Sequence, residues 1–218
     1  YTLFVLRFEH PMDTKTTKRR PRIVLGITGS VATVKVPELC VMLNVFADVT
    51  IIATGPSLHF MSIAKNYNEE AYEQFLKINV PIYTDRDEWD KYECVKKDPV
   101  LHVDLRKHND LFAIIPLTAN SLAKMTTGLC DNLLLSTYRA WGLSKPIIVA
   151  PCMNTEMYNH PLTEKQLNQL REWKVRVIEP VEKVLACGDV GKGALPPVDS
   201  VVEYILNTLR SQSNEFDL

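Results

Sequence analysis

Cysteine is sparse and unpaired in this chain: Cys40, Cys94, Cys130, Cys152 and Cys187 are scattered, odd in number and nowhere spaced C-x-x-C. The pattern argues against a disulfide framework and a zinc site, so no metal is expected and a reducing, cytoplasmic compartment is. Long hydrophobic runs are missing too. No apolar stretch approaches the roughly 20 residues of a membrane span, and Tyr1 to Phe8, interrupted by Arg7, is too short for a signal peptide. A formal net charge of −1 gives no global field to attract nucleic acid or an anionic membrane. Two phosphate-binding signatures are also incomplete, since the third glycine of G-x-G-x-x-G is absent and no G-K-[ST] occurs at the first strand-to-helix turn.

What is present suits one domain with one sizeable core: 218 residues, 46% hydrophobic and 23% charged. Residues 1–21, with Lys15, Lys18, Arg19 and Arg20 among threonines, read as a flexible basic leader. The folded domain is expected over 22–210, followed by a fraying tail at 211–218. Six apolar runs read as strands, beginning near Arg22, Asp48, Pro81, Leu111, Ile147 and Val175, and they alternate with helical patterns. That alternation predicts an α/β fold with a doubly wound, mostly parallel sheet: a flavodoxin- or Rossmann-like three-layer αβα sandwich.

Helix starts are expected from Asp98-Pro99, Asn120, Asp131, the Thr163/Gln166 capping box and a second box at Ser200/Glu203. Asp85 to Cys94 reads as a helix packing Trp89 and Tyr92. Residues 58–79 read as a surface insertion, largely helical, with Phe60, Ile63, Tyr67, Ala71, Phe75 and Leu76 as a partial stripe. Gly188, Gly191 and Gly193 argue for a mobile flap rather than a helix or strand.

In such sheets ligands lie beyond the carboxyl ends of the strands. Gly29 lets the backbone approach a ligand after the first strand, and Ser30 with the first helical N–H groups suits an anion. The second strand ends in Thr54-Gly55-Pro56-Ser57 without the acid that would hold a dinucleotide ribose, so a mononucleotide fits better than NAD. A helix N-terminus contributes about 0.3–1 kcal/mol at an exposed site, while a micromolar ligand needs about 8 kcal/mol. Several loops must therefore share the ligand, Thr54 and Ser57 among them. Pro151 ends the fifth strand. Asn154 just beyond it either clamps a carboxylate or caps the next helix, with Met153 and Met157 as core fillers in the second case. His102, among Leu101, Val103 and Leu105, is on spacing alone either structural or catalytic.

Pro151-Cys152-Met153-Asn154-Thr155-Glu156-Met157-Tyr158 resembles the Pro-x-Met-Asn-x-x-Met-aromatic signature of the homo-oligomeric flavin-containing cysteine decarboxylases. Three further segments, in the right order, resemble the same family: Leu101-His102-Val103-Asp104-Leu105-Arg106, Thr118-Ala119-Asn120-Ser121, and Leu185-Ala186-Cys187-Gly188-Asp189 with Gly191 and Gly193. The likeness runs from about Arg22 to about Leu209. It implies FMN held by Gly29, Ser30, Val31, Thr54, Ser57, Thr118, Ala119, Asn120, Ser121 and Cys152. It also implies His102 as base, Cys187 as proton donor, Asn154 on the departing carboxylate, and Met157, Val184, Leu185 and Ala186 beside the substrate. Gly55-Pro56 departs from the family's basic-and-Ser pair, Cys152 from its usual alanine and Leu195 from its commoner methionine.

The reaction so implied is decarboxylation of 4′-phospho-N-pantothenoylcysteine to 4′-phosphopantetheine in coenzyme A biosynthesis, through a transient thioaldehyde. Family members are typically homotrimers, or trimers of trimers, with active sites where subunits meet. Two alternatives stay open: a non-catalytic relative that regulates protein phosphatases, and a flavin-dependent prenyltransferase, against which the Cys187 flap argues.

Overall fold

The computed structural model describes residues 18–90, 92–95, 97–142, 144–184, 190–212 and 216–218. The first strand, β1 (Arg22–Ile27), is buried from Ile23 onward on both faces, as a strand inside a parallel sheet must be. A short 3-10 turn (Val31–Lys35) leads into α1 (Val36–Leu43), with Pro37 in its first turn, where a missing N–H costs no helical bond. Then follow β2 (Asp48–Ala53), α2 (Gly55–Ser62), α3 (Glu69–Ile78), β3 (Ile82–Tyr83), α4 (Asp85–Trp89) and α5 (Leu101–His108). The second half comprises β4 (Leu111–Leu117), α6 (Ala119–Thr127), α7 (Leu133–Trp141), β5 (Ile147–Pro151), α8 (Thr155–Asn159), α9 (Pro161–Glu172) and β6 (Arg176–Val177). A hairpin of β7 (Val181–Val184) and β8 (Val190–Ala194) precedes the last helix, α10 (Val198–Arg210).

Six strands pair in parallel, as the α/β alternation predicts, and their order is β3-β2-β1-β4-β5-β6. Side chains of successive residues point to opposite faces, so the strands divide the core in two. Ile23, Leu25 and Ile27 pack with Leu39, Leu43 and Ile205 on one side; Val24, Phe112 and Ile114 pack with Leu134 and Trp141 on the other. The chain runs outward from β1 through β2 to β3 and then returns to place β4 on the other flank of β1. Connections on the two sides of β1 and β4 diverge, which opens a crevice at their carboxyl ends.

Several expected boundaries move, each for a local reason. Asp98 does not cap a helix; its carboxylate accepts the Glu93 and Cys94 N–H groups at 2.8 and 2.7 Å, and α5 starts two residues after Pro99. Thr118 rather than Asn120 caps α6, Asn132 rather than Asp131 caps α7, and His160 rather than Thr163 caps α9 through its ring nitrogen. Pro197 stands at the cap of α10, ahead of the Ser200/Glu203 pair. The helix expected from Asp85 to Cys94 ends at Trp89, whose side chain is exposed. The 58–79 segment is broken into α2, a 3-10 turn and α3; Ala71 and Phe75 are buried while Ile63, Tyr67 and Leu76 face outward. Gly191 and Gly193, expected in a flap without strand structure, lie in β8 paired to β7, where a neighbouring loop leaves no room for a side chain; Gly188 lies outside the described residues.

Arg19 and Arg20, within the stretch expected to be a flexible leader, are bonded to the body. Arg19 makes a bidentate pair with Asp110 at 2.7 and 2.8 Å and lies over the Phe216 ring, and the Asp217 N–H donates to the Arg19 carbonyl at 3.0 Å. Phe216 is buried, so the expected fraying does not extend through residues 216–218. Burial alone would raise the Asp110 carboxyl, but the Arg19 guanidinium and the Arg22 N–H outweigh it and hold the group below the ordinary carboxylate value. A depressed carboxyl stabilises the fold above its unfolded pKa and loses that contribution as pH falls through the folded value. Asp110→Asn should therefore unfold in urea with about 1–2 kcal/mol less stability at neutral pH, and the difference should narrow as pH falls below about 4.

Candidate active site

The crevice where β1 and β4 diverge opens into a cavity of about 950 Å³, large enough for a cofactor and part of a substrate. Its floor is fixed by Thr28, whose buried hydroxyl donates to the Pro116 carbonyl at 2.8 Å and accepts the Thr118 N–H at 2.9 Å. One side chain thus ties the end of β1 to the end of β4. From β1 come Gly29, Ser30 and Val31, all lining the cavity. The Ser30 oxygen accepts the Ala32 N–H at 3.3 Å, leaving its hydroxyl hydrogen to donate to a ligand. A Cβ on Gly29 would stand 2.5 Å from the Pro56 Cβ, so glycine is what lets the first and second loops meet.

Thr54 lines the cavity from the end of β2, although its hydroxyl donates to the Ile27 carbonyl at 3.2 Å. Ser57 does not reach the cavity. It is fully buried, with its hydroxyl turned back 2.7 Å from the Thr54 carbonyl, because α2 begins at Gly55 and places residue 57 on the inward face. Thr118, Ala119, Asn120 and Ser121 line the wall from the start of α6, where the Thr118 oxygen accepts the Ser121 N–H.

Beyond β5, Cys152, Met153, Asn154 and Met157 line the far wall. Burial pushes the Cys152 thiol up to about 12, so it is a neutral wall rather than a nucleophile. Asn154 caps α8: its Oδ1 accepts the Met157 N–H at 2.9 Å. The two roles open in the sequence do not exclude each other, because capping uses the oxygen while Nδ2 has no partner among the described residues and remains a donor. Met157 is about half exposed, so it is no core filler.

The hairpin closes over this loop. The Met153 N–H donates to the Gly193 carbonyl at 3.1 Å, and Lys192 lies 5.2 Å over the Tyr158 ring, whose hydroxyl donates to Glu179. Val184 pairs with Val190 across the hairpin. Leu185, Ala186 and Cys187 lie outside the described residues. His102 stands apart: it is not among the residues lining the cavity. The sequence reasoning missed Lys35 and Lys183, which also line it. Burial first, then Lys183, lowers the Lys35 ammonium below its ordinary value, and no carboxylate lies within ion-pair distance of it among the described residues. An unpaired, partly desolvated cation facing a cavity suits an anionic ligand. Lys35, at the end of a turn whose other residues read as apolar packing, gives no such signal in the sequence.

The model of a family described as flavoprotein matches residues 11–210. The chain belongs to the flavoprotein family. Among curated members, phosphopantothenoylcysteine decarboxylase of Arabidopsis thaliana is 40% identical over 209 residues, covering 96% of this chain and 95% of that protein. The Mus musculus protein of the same name is 40% identical over 197 residues, covering 89% of this chain and 90% of its own length. A solved PPC decarboxylase, a Cys-to-Ser mutant complexed with pantothenoylaminoethenethiol, superposes with a TM-score of 0.79 at 40% identity, over 88% of this chain and all of that one. The FMN-binding protein AtHal3 superposes at 0.77 and 41%, over 90% and 100%. The resemblance carried by the Pro-x-Met-Asn motif and the flavodoxin-like fold are thus borne out for this flavoprotein.

Docking of the hairpin makes a specific demand. A Cβ on Gly191 would lie 2.1 Å from the Thr155 Oγ1, and one on Gly193, at φ +143°, would lie 2.1 Å from the Met153 carbonyl oxygen. Gly191→Ala should loosen the hairpin and lower turnover, and Thr155→Gly in the same chain should recover part of it, since the colliding atoms belong to one side chain. Gly193→Ala should not be rescued in this way. Proteolysis at the hairpin alongside turnover checks both.

Proposed function

We propose that this protein catalyses FMN-dependent decarboxylation of 4′-phospho-N-pantothenoylcysteine to 4′-phosphopantetheine, a step of coenzyme A biosynthesis in the cytoplasm. The observation that carries the reading is the convergence of the Ser30, Thr118–Ser121 and Cys152–Asn154 segments, distant in sequence, on one cavity. The residues fit FMN: Gly29 leaves room for a close backbone approach, Ser30 can donate, and Lys35 faces the cavity with no counter-ion within ion-pair distance among the described residues. Gly29, Ser30, Val31, Thr54, Thr118 to Ser121 and Cys152 would hold it. When bound, the flavin supplies a two-electron acceptor for the thiol-bearing carbon and returns the hydride after carbon dioxide has left, with a transient thioaldehyde as electron sink.

The chain's own groups bind, orient and move protons. Asn154 Nδ2 donates to the substrate carboxylate, while Oδ1 stays engaged in the cap and fixes the amide plane. His102 takes the thiol proton as carbon is oxidised, and Cys187 protonates the carbon left by carbon dioxide when the hydride returns. Met157 and residues 184–186 cover the substrate. His102 belongs to this scheme through assembly. In a homotrimer with sites where copies meet, the imidazole of one copy serves the cavity of its neighbour, which accounts for its absence from the lining of its own.

The purified holoprotein should be yellow and release carbon dioxide from phosphopantothenoylcysteine; a colourless protein that takes up no FMN would end the proposal. Asn154→Asp isolates the carboxylate contact, because aspartate caps α8 equally well but faces the substrate with like charge. Turnover should fall about 100-fold or more, the loss of one preorganised donor, while the flavin spectrum and melting temperature stay near wild type. Trans assembly is checked by mixing: His102→Asn and Asn154→Asp chains, each inactive alone, should regain activity when coexpressed. Absence of recovery in mixed oligomers refutes sharing of the site.

A further inference from the structure

Glu88 is a carboxylate buried to 6% exposure on a five-residue helix, with no Lys or Arg within ion-pair distance among the described residues. Both of its oxygens are spent on one residue. Oε2 accepts the His102 backbone N–H at 3.1 Å and Oε1 lies 2.6 Å from His102 Nδ1. His102 is the second residue of α5, so its N–H is one of the helix-start donors with no partner inside the helix, and Val100 at the cap offers no side-chain bond. Glu88 therefore caps α5 from another helix and grips the ring at the same time. Because backbone and imidazole of His102 are held by the two oxygens of one carboxylate, the ring cannot turn about its side-chain bonds without breaking a short contact.

An ionised carboxylate can only accept, so the hydrogen on a neutral His102 must sit on Nδ1, and the lone pair must sit on Nε2. We propose that Glu88 is the positioning residue of the reaction: it holds His102 as the Nδ1–H tautomer and thereby presents Nε2 as the proton acceptor. The inference rests on the reading of His102 as the base. It adds a group that neither the cavity nor the four sequence motifs contain, since Glu88 lies ahead of the Leu101–Arg106 segment and meets no ligand itself.

Glutamine separates this role from simple packing. A carboxylate offers two acceptors and a carboxamide one. With the Gln oxygen on the His102 N–H, its NH2 faces Nδ1, which must then carry the lone pair; the hydrogen moves to Nε2 and the base is lost. Glu88→Gln holoprotein should keep its flavin spectrum and oligomeric size, with KM little changed and kcat down about 100-fold, the lower range for a misplaced general base. Glu88→Asp retains two acceptors at shorter reach and should recover part of kcat. The direct readout is 15N NMR of the His102 imidazole in holoprotein, assigned by its disappearance in His102→Asn: wild type and Glu88→Asp should show Nδ1–H, and Glu88→Gln should show Nε2–H. A wild-type ring protonated on Nε2 overturns the proposal even if Glu88→Gln fails to fold, and so does wild-type kcat in Glu88→Gln. Wild-type turnover by His102→Asn would instead sink the reading of His102 as base.

Discussion

The hydroxyl of Thr28 is the contact on which the site depends. From the carboxyl end of β1 it makes two bonds to the carboxyl end of β4, donating to the Pro116 carbonyl and accepting the Thr118 N–H, at the point where the connections part. Without it, the Pro116 carbonyl and the Thr118 N–H would be buried beside a cavity with nothing to bond, and each such orphan costs about 1–3 kcal/mol. With it, the Gly29–Val31 turn and the start of α6 are set at a fixed spacing, because each begins one residue past a bonded strand end. A rigid sheet rim of this kind can hold a planar cofactor with few direct bonds, since the positions of the donors have already been determined by folding.

The remaining walls are attached to that rim by close backbone approach. Gly29 against Pro56 joins the second loop, and Gly193 against the Met153 carbonyl joins the hairpin to the loop after β5. Charge is arranged around the same centre. Lys35 and Lys183 face one cavity, and burial, then Lys183, lowers the Lys35 ammonium, so an anion placed between them and the loops suits both. At the outer edge, Lys192 over Tyr158 and the Glu179 contacts of Tyr158 and Arg171 tie hairpin, α8 and α9 together on the surface, where ion pairs contribute little to stability but restrict which way the hairpin sits.

The parallel α/β sheet was legible in the sequence because it follows from periodicity: apolar runs of strand length separated by helical patterns admit few topologies; most of the cavity residues came from the resemblance of the motifs that carry them. Helix starts were less legible. Asn120, Asp131 and Thr163 each have the chemistry of a cap, but a neighbour within two or three residues had it as well, and tertiary contacts chose between them; Asp98 was drawn off to the Glu93 and Cys94 N–H groups. Thr163, for example, donates its hydroxyl to the Met157 carbonyl, leaving His160 to cap α9. Ser57 is absent from the cavity lining for a different reason: where α2 begins decides whether a hydroxyl faces the cavity or turns back to the chain. Lys35 and Glu88 were invisible because their meaning lies in what surrounds them. A lysine with no carboxylate, and a carboxylate with no Lys or Arg, within ion-pair distance among the described residues look in sequence like any surface charge.

Those two residues divide the chemistry between different parts of the molecule. Lys35 belongs to the sheet rim, where groups are fixed by strands and suit a cofactor that stays in place. Glu88 and His102 belong to α4 and α5, and neither residue lines the cavity, although α4 reaches it through Asp85; in the proposed assembly they serve the site of a neighbouring copy. On the proposed reading a proton acceptor must approach the substrate at a defined angle, and a side chain carried in by a neighbouring copy has more freedom to be wrong than one grown from the same rim. The bidentate grip on His102 offsets that freedom, because it fixes the ring against its own backbone before the copies meet, so that assembly has only to place α5 and not also to choose a rotamer and a tautomer.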